Sequence, residues 1–140
     1  MTTTGNNSEA SASPPTVLVV EDDVLIRMAV SAYLRECGFK VIEATGAEEA
    51  TRILETDTRI DVVFSEVNIP GEVGGFGLAQ RIRRERPATK IILTSGVRRS
   101  AEDAGELCEH GPVLAKPYEH RDLERRIRIM LAREGRSPSV

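Results

Sequence analysis

The 140-residue sequence predicts an α/β domain, a five-stranded parallel sheet doubly wound by helices on both faces. Short apolar runs at 17–20, 41–42, 62–64, 91–93 and 113–115 alternate strictly with helical patterns. Most of those runs are continuous rather than alternating, as strands buried on both faces must be. The polar residues with chemical potential follow the carboxyl ends of the runs, where open α/β sheets bind ligands.

Each helix is read from spacing and breakers. In the first, Leu25, Met28, Ala29 and Ala32 fall at i, i+3, i+4, i+7 and predict its core face, and Cys37-Gly38 ends it. Ala47, Ala50 and Leu54 make a weaker second helix, and Leu78, Ala79 and Ile82 a third, stopped at Arg86-Pro87. A fourth over 98–109 has a thin face (Ala101, Ala104, Leu107, Cys108) and ends at His110-Gly111-Pro112. The fifth carries Leu123, Ile127, Met130 and Leu131. Residues 1–15 read as a disordered leader rich in Thr, Ser, Asn and Pro, 16–133 as one folded domain, and 134–140 as a flexible tail.

Composition narrows the class. Forty per cent apolar residues suffice for one core, and 19 basic against 22 acidic side chains leave a net charge of −3. Overall charge therefore does not drive nucleic-acid binding. No apolar run approaches a membrane span and no secretory signal opens the chain. Cys37 and Cys108 lack metal spacing and suit a reducing compartment, so the expected location is cytoplasmic.

Glu21, Asp22 and Asp23 follow the first run, Ser65, Glu66 and Asn68 the third, Thr94 the fourth and Lys116-Pro117 the fifth. Singly, each has an ordinary explanation: acidic triplets start helices and lysines are solvated. Jointly, the carboxylates would repel one another without a cation, and a hard divalent ion such as Mg²⁺ with oxygen ligands is the natural partner. Carboxylates, metal, lysine and threonine together can hold a phosphoryl group.

The segments Val-Leu-Val-Val-Glu-Asp-Asp at 17–23, Asp-Val-Val-Phe-Ser-Glu-Val-Asn-Ile-Pro-Gly at 61–71, Ile-Ile-Leu-Thr-Ser-Gly at 91–96 and Ala-Lys-Pro-Tyr at 115–118 resemble the receiver domain of bacterial response regulators. The resemblance implies a flavodoxin-like fold with strand order 2-1-3-4-5 and a role in two-component phosphorelay signalling. It implies a signalling module rather than an enzyme, taking a phosphoryl group from a histidine kinase or phosphotransfer protein. Glu21 and Asp22 match the acidic pair for Mg²⁺, joined at the metal by Glu66 and the backbone carbonyl of Asn68. Asp23 matches a variable neighbour, solvated or capping a helix. Thr94 and Lys116 match the groups that contact the phosphoryl oxygens, and the bond from Lys116 to Pro117 is often cis in the family.

Glu66 departs from the pattern, which has aspartate at the phosphoacceptor position. Its carboxylate projects roughly 1–1.5 Å further, and misplacement of that order can cost about 10²-fold in a positioned reaction. The longer side chain either disables phosphorylation, imitates the phosphorylated state weakly beside Lys116 and Thr94, or acts as a tolerated swap. Val113 stands where the family commonly has an aromatic residue, so any switch must move another group such as Tyr118 or the fourth helix. The loop 71–75 is richer in glycine than a tight turn needs, which predicts mobility.

No segment follows Val140, so the reading is a stand-alone receiver unless the sequence belongs to a longer regulator. Output then passes through a downstream protein partner, or a homodimer made by the fourth helix, fifth strand and fifth helix. Arginines on the third and fifth helices form basic faces, but no DNA-reading helix is left over and aromatics are few. The rival reading is a small Mg²⁺-dependent phosphatase of the haloacid dehalogenase type. It requires Asp-x-Asp directly after the first strand, where this chain has Glu21-Asp22-Asp23.

Overall fold

A computed structural model describes residues 13–95 and 114–136. Five strands, β1 (Thr16–Val20), β2 (Lys40–Ala44), β3 (Val62–Glu66), β4 (Lys90–Ser95) and β5 (Leu114–Ala115), form one sheet in the order β2-β1-β3-β4-β5. Every pairing is parallel. Four helices are described: α1 (Val24–Glu36), α2 (Ala47–Leu54), α3 (Gly74–Glu85) and α4 (His120–Arg136). The helix expected over 98–109, with Val113 and Cys108, lies outside the described residues. The expected fifth helix is α4, and it runs to Arg136, past the boundary expected at 133.

The continuous apolar strands divide their side chains between two cores. Leu18, Val20, Val63, Ile91 and Leu93 point to the side covered by α2 and α3. Val17, Val19, Val62, Phe64 and Ile92 point to the side covered by α1 and α4. Alternation along a strand thus buries every residue of β1, each of Val17 to Val20 at 0% exposure.

The face of α1 is a correction to the sequence reading. Leu25 and Met28 are 77% and 56% exposed, and Ala29 and Ala32 are exposed too. The inward residues are Arg27, Val30, Ser31 and Leu34, which also fall at i, i+3, i+4, i+7. Two of those four are polar, so hydropathy alone favoured the wrong stripe. Asp23 caps the helix by accepting from Ile26 N–H at 3.0 Å. Gly38, at φ +100°, turns the chain out of it.

The glycine-rich loop has a packing reason. Gly71 has φ +119°. A Cβ on Gly75 would meet the Glu66 carbonyl oxygen at 2.6 Å and Val67 Cα at 2.8 Å, both backbone. The N-terminus of α3 thus lies directly against the end of β3. Gly75→Ala should cost about 1–3 kcal/mol, as overpacking does. Urea unfolding measures this, and an unchanged midpoint would mean that α3 can move off β3 freely.

Candidate functional site

The C-terminal edge of the sheet gathers the expected residues. Glu21 follows β1, its N–H bonded to Ala44 O at 3.0 Å. Glu66 ends β3 in register with Thr94 on β4, and Val67 N–H donates to Thr94 O at 2.9 Å. Lys116 follows β5, with its N–H on Ser95 O at 3.2 Å and a cis bond to Pro117. Chain segments far apart in sequence are therefore brought to one edge of the sheet by the neighbouring strands β1, β3, β4 and β5.

Glu21 and Glu66 are each 6% exposed, whereas Asp22 and Asn68 lie at the open rim. Lys116 Nζ forms an ion pair with Glu66 Oε1. Glu66 Oε2 faces Asn68 N–H at 3.5 Å, at the limit of a hydrogen bond. Glu21 Oε2 accepts from Asp23 N–H at 3.1 Å. Thr94 is 1% exposed, and among the described residues its hydroxyl has no hydrogen-bond partner. An orphaned buried hydroxyl costs free energy unless a ligand or water meets it. Beside Asp22, an open cleft of about 500 Å³ runs past Thr45, Glu48, Glu49, Arg52 and Pro70.

Burial above all, then the negative charge of Glu66, pushes the Glu21 carboxyl above its ordinary value, against the opposing bond from Asp23 N–H and the pull of Lys116. Two buried carboxylates thus share one ammonium, with the exposed Asp22 next to Glu21. That surplus of hard oxygen donors fits a hard divalent cation. Among the described residues no three acidic or imidazole side chains close into a metal cage.

Tyr118 lies under this pocket, its ring edge-on to Phe64 at 5.7 Å between centroids. Burial first, then the charges of Glu21 and Glu66, push its phenol up to about 12. A folded value above the unfolded one means that the neutral phenol contributes stability fully below about pH 10, lost as pH rises towards 12. Tyr118→Phe should remove that alkaline loss, measured by urea midpoints between pH 9 and 12. The same loss in both chains would show that Tyr118 ionises as freely as a solvated tyrosine.

A model of the response regulator receiver domain matches residues 17–128. The chain belongs to that family. Receiver domains are signalling modules of two-component systems, working with histidine kinases or phosphotransfer proteins. The transcriptional regulatory protein PdtaR of Mycobacterium tuberculosis is 33% identical over 136 residues, which are 93% of this chain and 63% of that protein. AfsQ1 of Streptomyces coelicolor, another transcriptional regulatory protein, is 34% identical over 124 residues, 87% of this chain and 53% of its own length. The receiver therefore spans little more than half the length of these relatives. A receiver protein from Pseudomonas putida superposes with TM-score 0.72 at 34% identity, over 81% of this chain and 95% of that one. The receiver domain protein from Clostridium thermocellum gives 0.78 at 25%, over 86% and 97%. The phosphatase reading gains no support from these matches. No helix among the described residues is long and apolar enough to cross a membrane.

Sequence reasoning missed Arg27. Its Nη1 donates to the Glu21 carbonyl at 2.8 Å and its Nε to Glu43 Oε1 at 3.1 Å. The available signal was an arginine at core spacing with Val30 and Leu34.

Proposed function

We propose that this receiver binds Mg²⁺ at its acidic edge but is closed to phosphoryl transfer at Glu66, and that it signals through protein contacts. The ion pair between Glu66 and Lys116, beside a Thr94 hydroxyl with no partner among the described residues, carries this reading. Lys116 is already held by the side chain at the acceptor position, and the longer glutamate puts its carboxylate where an incoming phosphoryl oxygen would go. Among the described residues the Thr94 hydroxyl has no partner, so Glu66 engages Lys116 without engaging Thr94. The protein is accordingly phosphorylation-deficient rather than a full mimic of the phosphorylated state. Glu21, Asp22, Glu66 and the Asn68 carbonyl are the groups that would hold Mg²⁺, which when bound would offset the negative charge gathered there. The test is intact-protein mass after incubation with acetyl phosphate and Mg²⁺, for this chain and for Glu66→Asp. Uptake by the aspartate variant alone is expected, and equal uptake by both would overturn the reading.

The exposed side of α1 supports docking of a helical histidine-bearing phosphodonor. Val24, Leu25, Ile26 and Met28 are 54%, 77%, 40% and 56% exposed and begin directly after the acidic turn. They form a small apolar collar, suited to a transient partner. In the Glu66→Asp chain, adding Leu25→Asp should slow phosphorylation by a histidine kinase at least about tenfold, since buried interface anchors cost about 1–2 kcal/mol or more. Labelling by acetyl phosphate should be unchanged. Equal slowing with both donors would mean that the variant damages the pocket instead.

A further inference from the structure

We propose that Arg27 is a positioning residue for the acidic turn, acting through the main chain of Glu21 and held there by Glu43. The proposal rests on the Mg²⁺ reading above. The Arg27 side chain is 14% exposed, and its two bonds reach different elements, the Glu21 carbonyl at the end of β1 and the Glu43 carboxylate on β2. Residue 21 is thus held through both of its main-chain groups, its N–H by Ala44 O and its carbonyl by Arg27. Asp22 is the next residue, so the orientation of that carbonyl sets the direction in which the chain carries Asp22 to the rim.

Glu43 completes this clamp from the edge strand β2. Acidic residues are depleted in strands, and Glu43 shares its face of β2 with Val41, which packs on the α1 side. Its second oxygen accepts from Arg35 Nη2 at 3.1 Å, two helical turns beyond Arg27. One carboxylate so fixes two guanidinium groups along the same flank of α1. Planar, forked donors can satisfy a carbonyl and a carboxylate at once, and a lysine cannot reproduce that geometry. Groups that orient metal ligands from behind commonly matter 10- to 100-fold in metal affinity.

Positioning and plain electrostatics make opposite predictions. As a cation near a cation site, Arg27 by itself would weaken metal binding. As a clamp it strengthens it. The test uses Mn²⁺ alone as the probe, with free Mn²⁺ followed by electron paramagnetic resonance on the full chain, Arg27→Met and Arg27→Lys. Arg27→Met should bind about tenfold more weakly and Arg27→Lys several-fold more weakly, although lysine keeps the charge. Tighter binding by Arg27→Met, or unchanged binding by Arg27→Lys, overturns the proposal while leaving the metal site standing. No binding by the unaltered chain overturns both. Should Arg27→Met fail to fold, Arg27→Lys decides the matter alone.

Discussion

Glu66→Asp is expected to turn a chain that takes up no phosphoryl group from acetyl phosphate into one that takes up a single group. In that reaction a carboxylate oxygen attacks phosphorus and acetate leaves with the bridging oxygen. The attack needs the oxygen at one place, and roughly 1 Å of error can cost about 10²-fold. The backbone cannot absorb the extra methylene of glutamate. Glu66 is the last residue of β3, paired to β4 through the register with Thr94, and Gly75 lies against its carbonyl. Movement at the acceptor position would therefore have to break a parallel ladder or push α3 away. Intact-protein mass reads the outcome directly. Uptake by neither chain would transfer the cause from Glu66 to other parts of the pocket, and uptake by both would make glutamate a working acceptor.

Lys116→Met is expected to destabilise the fold by about 2–3 kcal/mol at neutral pH, near the lower limit for breaking a buried ion pair because the lysine is partly exposed. The side chain of Glu66 is 7% exposed and that of Lys116 34%. Removing the lysine leaves two buried carboxylates without their cation. Removing the carboxylate instead, in Glu66→Gln, leaves a lysine that can turn to water, so the cost should be under about 1 kcal/mol. The double variant should recover most of the loss of Lys116→Met. Urea unfolding of the four chains measures the coupling. Equal losses from the two single variants would mean that the pair is solvated and that Glu66 is free to move.

Much of this was legible before folding. Continuous apolar runs told of a sheet covered on both sides, and the polar residues after them named the edge where the site lies. Glu66, Thr94 and Lys116 were each visible as residues at strand ends. Their spacing in the chain did not say that Lys116 would pair with Glu66, because that contact depends on β4 lying between β3 and β5. The glycine at 75 looked like slack in a loop, and only the approach of α3 to within contact of the Glu66 carbonyl shows why a side chain cannot stand there.

The first helix shows where local pattern stops. By itself the sequence determined that a helix carries Leu25 to Ala32 and ends at Cys37-Gly38, and the structure adds the Asp23 cap and the bounds Val24–Glu36. Two residues further along, Arg27, Val30, Ser31 and Leu34 keep the same spacing on nearly the opposite side of the helix, and the more apolar stripe, Leu25, Met28, Ala29 and Ala32, faces water. Tertiary structure chose the stripe with Arg27 and Ser31 because the guanidinium gains two acceptors on neighbouring strands, while Val30 and Leu34 fill the core beside Phe39. Hydrophobic spacing measures what a helix could bury. What it does bury also depends on hydrogen bonds to strands that meet it only when the sheet has formed.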